Sequence, residues 1–265
     1  MKRWIPFLKT DPVVSVLRLS GAIGTGGRGS LTDQSLAPLI ERAFKRGKPV
    51  AVALLINSPG GSPVQSSLIA ARIRRLADEK NIPVYAFVED VAASGGYWLA
   101  ASADEIWADR SSILGSIGVI SASFGAADLL AKHGVERRVY TAGKSKSQLD
   151  PFKAENPEDV TRLKVLLEDI HTNFIDHVKS RRGDRLDPDS DIFTGEYWLG
   201  DRSVKLGLAD GIGHLVPKMK DVFGDKVKFN PYGERKSWLQ RIGANVARDV
   251  LGDIEERAIF ARYGL

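Results

Sequence analysis

The N-terminal half of the chain alternates short apolar segments with segments of helical periodicity, and this alternation limits the possible folds more than any other feature. The segment Pro49–Ile56 (PVAVALLI) is almost continuously apolar, as expected for a strand covered on both faces of a sheet. The next segment, Pro63–Lys80, repeats apolar residues at helical spacing from Val64 to Leu76. Strands and helices that alternate at these lengths predict an α/β fold with a mainly parallel sheet and right-handed crossover helices.

The same patterns predict the remaining elements. We expect strands over Pro12–Leu19, Pro83–Val88, Glu105–Ala108, Gly118–Ser121 and Arg137–Thr141. We expect helices from the N-cap residues Ser30–Asp33 to Lys45, and over Ser94–Ser102, Asn156–Arg182 and Gly195–Gly207.

The chain ends in a predicted amphipathic helix. Apolar residues in Lys236–Tyr263 recur mostly at spacings of three or four, so one face of this helix is apolar. The pattern favours packing within or between subunits, and binding to a membrane surface is the alternative. We therefore divide the chain into a main domain, residues 1–213, and a helical C-terminal extension, residues 214–265.

Composition excludes several classes of function. The net charge of +5 is spread over interleaved acidic and basic residues, which predicts a mildly basic surface and no nucleic-acid partner, while contact with an anionic membrane surface stays open. Without cysteine the chain forms no disulfide and performs no thiol catalysis.

The N-terminal segment Met1–Thr10 lacks the apolar core of a signal peptide, and the uncharged stretch Ser111–Ala127 is too short to span a bilayer. These features predict a cytoplasmic location, with a peripheral position at the inner membrane as the alternative.

Two turns of small residues follow predicted strands. Asn57–Ser62 (NSPGGS) follows one strand, and Ala92–Tyr97 (AASGGY) follows the next. The carboxyl ends of parallel strands form ligand crevices, and glycines there let paired backbone N–H groups approach an oxyanion. Each turn taken alone also fits a structural interpretation: a Pro-Gly turn before a helix in the first, and Ser94 as an ordinary helix cap in the second. The pairing of the two turns favours a catalytic site.

A nucleophilic serine needs a general base, and none of the histidines has a sequence context that suggests this role. We assign structural roles to all four: His133, His171, His177 and His214. A lysine base is the next option, but it must be neutral, so its pKa would have to fall from about 10.4 toward 7. This shift corresponds to a free energy of about 4 kcal/mol, and burial of the amine beside the serine can produce it. The loop Thr141–Phe152 (TAGKSKSQLDPF) contains two lysines, but a solvated basic loop explains them equally well.

Four motifs occur in order along the chain: NSPGG at 57–61, ASGGYW at 93–98, GSIGV at 115–119 and GKSKS at 143–147. Together they resemble the signal peptide peptidase A family of serine proteases, and the resemblance covers Val13–Gly213. It implies a fold like that of Clp protease and the crotonases, and it makes residues 1–213 a protease domain. It also implies that no cofactor or metal is required.

The resemblance also implies site residues. Ser94 corresponds to the family nucleophile and Lys146 to the general base, while Ser116 corresponds to the serine whose hydroxyl holds the lysine amine. By analogy with the related Clp fold, the backbone N–H groups of Gly61 and Gly95 are candidates for the oxyanion hole. The implied reaction is endopeptidase cleavage through an acyl-enzyme, with a Ser/Lys dyad and no histidine.

The implied partners are a peptide or protein substrate and other copies of the same chain. The family cleaves signal peptides and other apolar peptides, and small residues near the turns (Ala92, Ala93 and Ile117) suggest a pocket for small or apolar side chains. Short-form members build oligomeric rings, so we expect a homo-oligomer. The chain departs from the family at Ser145, where an aromatic residue is common, and its first residues do not predict the N-terminal anchor that many members carry.

Two other functions compete with the protease. A crotonase-type enzyme acting on acyl-CoA would use the same pair of turns, but it needs acidic catalysts, and neither turn contains a carboxylate. A non-catalytic scaffold would keep the fold and bind partner proteins or a membrane surface. A CoA-binding assay tests the first alternative, and labelling by a serine-reactive fluorophosphonate tests the second.

Overall fold

The computed structural model describes residues 11–24, 30–233 and 260–265 of the chain. Contacts divide the protein into two compact units, which we call the sheet unit (Met1–Ile117 with Ile175–Leu265) and the insert unit (Gly118–Phe174). All strands of the described residues belong to the sheet unit.

The sheet unit is built on one eight-stranded sheet. Its strands are β1 (Val13–Ser20), β2 (Ala51–Ser58), β3 (Val84–Ala93), β4 (Glu105–Ala108), β5 (Ile113–Gly115), β6 (Tyr197–Leu199), β7 (Gly211–Ile212) and β8 (Lys228–Tyr232). The main path runs β6-β5-β3-β2-β1-β8, with β4 paired to β3 and β7. Every pair is parallel except β5 with β6, so the predicted α/β class with a mainly parallel sheet is confirmed.

The α-helices within residues 30–233 are α1 (Asp33–Lys45), α2 (Pro63–Lys80), α3 (Gly95–Ala101), α4 (Ala127–Lys132), α5 (Pro157–Arg182), α6 (Gly200–Lys205) and α7 (Leu215–Phe223). The two helices between the first three strands start at side-chain caps. Thr32 caps α1 in a capping box with Ser35, and Ser62 caps α2 just before Pro63. The predicted starts of both helices are therefore confirmed, and the second cap lies directly after the first glycine turn.

The core lies on both faces of the central strands, as the continuous apolar pattern predicts. On one face Val14, Ala53 and Phe87 form a buried cluster with Met219 of α7. Side chains of the opposite parity are also buried, and so are the inward faces of α1 and α2. Each such large apolar side chain contributes about 1.5–3 kcal/mol by its burial. This packing holds the carboxyl ends of β2 and β3 next to each other.

Several predicted boundaries are wrong in informative ways. β3 extends to Ala93, five residues beyond its predicted end, because it pairs with β4 first and then with β5. The expected helix Gly195–Gly207 is replaced by β6 and the shorter α6, since residues 197–199 pair with β5. Pairing with distant strands overrides the local pattern at both places.

The insert unit contains α4 and the first part of α5. Two strands were expected here, at Gly118–Ser121 and Arg137–Thr141, and both predictions are wrong: these residues are irregular. A β-branched segment forms a strand only where a neighbouring strand pairs with it, and within the described residues neither segment has one. Polar contacts order the unit instead, such as the ion pair at 2.9 Å between Arg137 and Asp150.

The residues after 213 partly join the sheet unit. Helix α7 packs on the sheet, and β8 pairs in parallel with β1. The domain boundary at residue 213 stays a prediction. Most of the predicted tail helix, Lys236–Tyr263, lies outside the described residues, but Phe260 and Tyr263 pack against the buried cluster at the end of β3. No helix among the described residues has the length and apolar character needed to cross a membrane.

Candidate active site

The turn between β3 and α3 holds Ser94 in an unusual backbone conformation. Its φ is 52° and its ψ is −123°, values that cost a non-glycine residue about 1–3 kcal/mol and persist only where the surrounding structure imposes them. The Ser94 N–H donates to the carbonyl of Gly115 at 2.8 Å. The side chain occupies the N-cap position of α3 but makes no capping hydrogen bond. The capping interpretation of Ser94 therefore does not hold, and its hydroxyl, which is partly exposed, is left for another role.

The first glycine turn packs tightly against this serine. Gly60 and Gly61 have φ values of 97° and 143°. A Cβ atom on Gly60 would lie 2.7 Å from the nitrogen of Gly95 and 2.8 Å from the Cβ of Ser94, and a Cβ on Gly95 would lie 3.4 Å from the nitrogen of Gly61. Glycine is therefore required for both its backbone angles and the close approach of the two turns.

Two backbone N–H groups meet at this contact. Among the described residues, neither the N–H of Gly61 nor that of Gly95 has a hydrogen-bond acceptor, whereas the neighbouring N–H of Ser62 donates to Ile23 at 2.7 Å. Paired N–H donors beside a serine can stabilise the oxyanion of a tetrahedral intermediate. The structure thus places close together the three sheet-unit groups that the resemblance assigns to the nucleophile and the oxyanion hole.

Ser116 lies at the same edge of the sheet. Its φ is 53°, and its N–H donates to the carbonyl of Glu196 at 2.6 Å. Because Ala93 pairs with Gly115 in the β3–β5 register, Ser94 and Ser116 are the next residues on adjacent chain segments. The hydroxyl of Tyr263 donates a hydrogen bond to the Ser116 Oγ at 3.4 Å. The two serines predicted to act together are therefore neighbours.

Lys146 belongs to the insert unit. It lies in a turn in which its N–H donates to the carbonyl of Gly143 at 3.2 Å, and its side chain is exposed within the residues that the structure describes. Lys144 is also exposed and lines a cavity of about 340 Å³ in the same unit. The assignment of the base to Lys146 stays a prediction.

Contacts behind the nucleophile turn were not anticipated from the sequence. The buried hydroxyl of Tyr97 donates to the carbonyl of Leu208 at 2.9 Å, and burial raises the pKa of this phenol. The His177 ring stacks on the Trp98 indole, and burial lowers its pKa to about 4. The motif Gly-Gly-Tyr-Trp was visible in the sequence, but its partners lie about 80 to 110 residues further along the chain.

Ala92, Ala93 and Ile117 are fully buried, which corrects the expectation that they line a substrate pocket. No cluster of three or more histidine, aspartate or glutamate side chains within residues 11–24, 30–233 and 260–265 has the arrangement needed to hold a metal ion.

Gly96 offers a test of the contact between the two turns. A Cβ atom at this position would lie 2.2 Å from the carbonyl oxygen of Ser58. Because this oxygen belongs to the backbone, a change of side-chain rotamer cannot relieve the clash. We expect Gly96→Ala to lower the free energy of unfolding by about 1–3 kcal/mol, measured by urea denaturation. Gly125→Ala is the matched control, since a Cβ there meets nothing within 4 Å. Equal stability of the two variants would contradict the close approach of the turns.

Comparison with known proteins yields one matching family. Residues 77–221, more than half of the chain, match peptidase family S49. The putative signal peptide peptidase SppA of Enterococcus faecium is 32% identical over 84% of the chain and 69% of its own length. A Brucella melitensis protein with the name Na(+)/H(+) antiporter NhaA is 48% identical over the whole chain, but the chain spans only 39% of it.

One similar solved structure is a lysine-to-alanine mutant of a membrane-bound stomatin-specific protease in complex with a substrate peptide. It covers 91% of this chain and all of its own chain, with 13% sequence identity and a TM-score of 0.49.

Proposed function

The chain belongs to peptidase family S49, and on that basis we propose that it is a serine endopeptidase in which Ser94 is the nucleophile and Lys146 the general base. The observation that carries the proposal is the strained, uncapped Ser94 beside the unpaired N–H groups of Gly61 and Gly95. A serine that only capped a helix would use its hydroxyl for that purpose and would not need the strained backbone.

The proposed reaction has two stages. Neutral Lys146 removes the proton of the Ser94 hydroxyl as the oxygen attacks a peptide carbonyl, and the N–H groups of Gly61 and Gly95 bind the developing oxyanion. The C–N bond then breaks, and the protonated lysine returns its proton to the leaving amine. Water attacks the resulting ester with the same lysine as base, which releases the second product and restores Ser94.

Ser116 has a supporting role in this proposal. Its hydroxyl would accept a hydrogen bond from the lysine amine and so orient the lone pair of that amine toward Ser94. The pairing of Ala93 with Gly115 and the bond from the Ser94 N–H to Gly115 tie the two serine turns together, which supports the role.

We assign the substrates to peptides with small or apolar residues at the cleavage site, including those that resemble signal peptides. This assignment rests on the family, because Ala92, Ala93 and Ile117 are buried and do not line a pocket. Mass spectrometry of a peptide library incubated with the protein tests it. We expect cuts next to small or apolar residues that disappear with Ser94→Ala, and cuts next to charged residues alone would contradict it.

We further propose that the protein is a homo-oligomer. Exposed apolar side chains of the insert unit support this, among them Ile120, Phe124, Leu129, Tyr140 and Val165, with exposed fractions from 58 to 90%. Exposed apolar residues that form a contiguous patch mark protein–protein contacts. By light scattering we expect a mass several times that of one chain, and Val165→Glu should reduce it. Thr172→Glu, at another exposed position on α5, is the control. A monomeric wild type at micromolar concentration would rule the assembly out.

A further inference from the structure

Helix α3, which directly follows Ser94, ends in carbonyl groups that need partners from outside the helix. It has seven residues, and the last four carbonyls of any α-helix lack partners within the helix. The carbonyls of Leu99 and Ala100 accept from the backbone N–H groups of Ser102 and Ala103, and side chains of α5 bind other carbonyls at this end. Arg181 donates from Nε to the carbonyl of Ala101 and from Nη2 to that of Ala103, both at 3.2 Å. The end of α3 opposite Ser94 is therefore anchored by a helix that is about 80 residues distant in sequence.

Of the α5 side chains that bind carbonyl groups near the end of α3, His177 contacts the residue nearest to the nucleophile. Its Nε2 lies 3.0 Å from the carbonyl oxygen of Trp98, and its ring stacks on the indole with centroids 4.9 Å apart and planes 16° from parallel. The N–H of Ser102, one turn further on, donates to the carbonyl of Leu99 at 3.1 Å. A carbonyl only accepts hydrogen bonds, so Nε2 carries the proton. Because burial lowers its pKa to about 4, the ring is neutral near pH 7.

A short chain of contacts leads from His177 to Ser94. The N–H of Trp98 donates to the carbonyl of Ser94 at 3.0 Å, so one residue connects the histidine with the backbone of the nucleophile. The neighbouring Tyr97 is fixed through its bond to Leu208, and Gly96 is fixed by its close approach to Ser58. Trp98 is thus the residue of α3 at which an aromatic stack and a side-chain hydrogen bond from another helix coincide.

We propose that His177 is a positioning residue: it holds Trp98 and the first turn of α3, and thereby keeps Ser94 in its strained backbone conformation. Such a conformation relaxes unless several contacts oppose the change. The hydrogen bond to Trp98 resists a shift of α3 along its axis, and the stacked ring resists its rotation. The kinetic consequence rests on the proposed function, whereas the anchoring of α3 does not depend on it.

Three variants test the role. His177→Phe keeps a stacked ring and loses the donor, while His177→Gln keeps an N–H donor at similar reach and loses the ring. His133→Phe is the control, since it makes the same change at an exposed position in the insert unit. Two readouts are needed: hydrogen exchange of the backbone amides of residues 98–101, and kcat and KM for a peptide substrate. Thermal unfolding confirms that each variant is folded at the assay temperature.

For His177→Phe we expect amide exchange in 98–101 to become at least about tenfold faster and kcat to fall on the order of 10- to 100-fold, with KM little changed. His177→Gln should recover part of both effects, and His133→Phe should match the wild type. A general loss of stability would instead speed exchange throughout the sheet unit.

Unchanged exchange in 98–101, or faster exchange without a fall in kcat, would overturn the proposal. If the wild type shows no hydrolysis that depends on Ser94 while His177→Phe still loosens residues 98–101, the anchoring is supported and the proposed peptidase function fails. The two failures are therefore distinguishable.

Discussion

Ser94→Ala should lower kcat for peptide cleavage by at least about 10³-fold, the loss expected when the nucleophile of an acyl-enzyme mechanism is removed. The fold should not change, because the Ser94 side chain makes no capping hydrogen bond and alanine occupies the same backbone conformation at the same cost. Purified variant and wild type are compared by the initial rate of cleavage of a fluorogenic peptide and by urea denaturation, with free energies of unfolding expected to agree within about 0.5 kcal/mol.

Ser111→Ala is the matched control for this experiment. Ser111 is exposed and lies away from the two glycine turns in sequence, so its replacement should leave the rate unchanged and the free energy of unfolding within about 0.5 kcal/mol of the wild type. Cleavage by Ser94→Ala at the wild-type rate would remove Ser94 from the mechanism, even if the protein proves to be a peptidase.

Lys146→Ala should lower kcat about 10²- to 10⁴-fold, the usual contribution of a general base. Lys146→Arg should be equally inactive, because a guanidinium does not release its proton in the range of pH in which proteins are stable. The readout is the same initial rate, measured with the same peptide at saturating concentration.

Lys144→Ala separates the base from its neighbour. The two lysines are two residues apart in one loop, and both are exposed within the described residues, so a general effect of positive charge would appear in both variants. We expect Lys144→Ala to retain the wild-type rate. If Lys144→Ala loses activity and Lys146→Ala does not, the base has been assigned to the wrong residue.

The parts of the fold that depend on local pattern were predictable. The apolar segment of β2, the cap at Ser62 and the periodicity of α2 lie within one stretch of the chain, and the structure agrees with all three. The two glycine turns were predictable for the same reason, since they follow strands that were visible as apolar segments. Parallel neighbours then place their carboxyl ends at one edge of the sheet.

Elements that depend on distant partners were not predictable. β5 and β6 pair although more than 80 residues separate them, and nothing within either segment indicates the other. The segment Arg137–Thr141 has the residue types of a strand, yet it is irregular in the structure. His177 was interpreted as a structural histidine, but its contact with Trp98 crosses 79 residues and has no local signal. In each case tertiary contact decides what local preference leaves open.

The residues of the candidate site also differ in how far local sequence predicts them. Ser94 and the two glycine turns were found from spacing and strand order, and the geometry of the sheet unit agrees with that arrangement. The choice of Lys146 over Lys144 depends on the resemblance to the family alone. The two side chains are chemically identical, so only their positions relative to Ser94 could distinguish them. Ser116 lies between these cases: its turn was assigned by resemblance, and the β3–β5 register places it next to Ser94.

Chemical labelling of the intact protein with a fluorophosphonate, followed by tandem mass spectrometry of its peptides, tests the central claim most directly. A serine activated as a nucleophile reacts with this probe, whereas a serine that only caps a helix does not. We predict a single adduct on Ser94 that is absent after heat denaturation, much reduced in Lys146→Ala and unchanged in Lys144→Ala. An adduct on another serine, or no adduct in a preparation that cleaves peptides, would contradict the account.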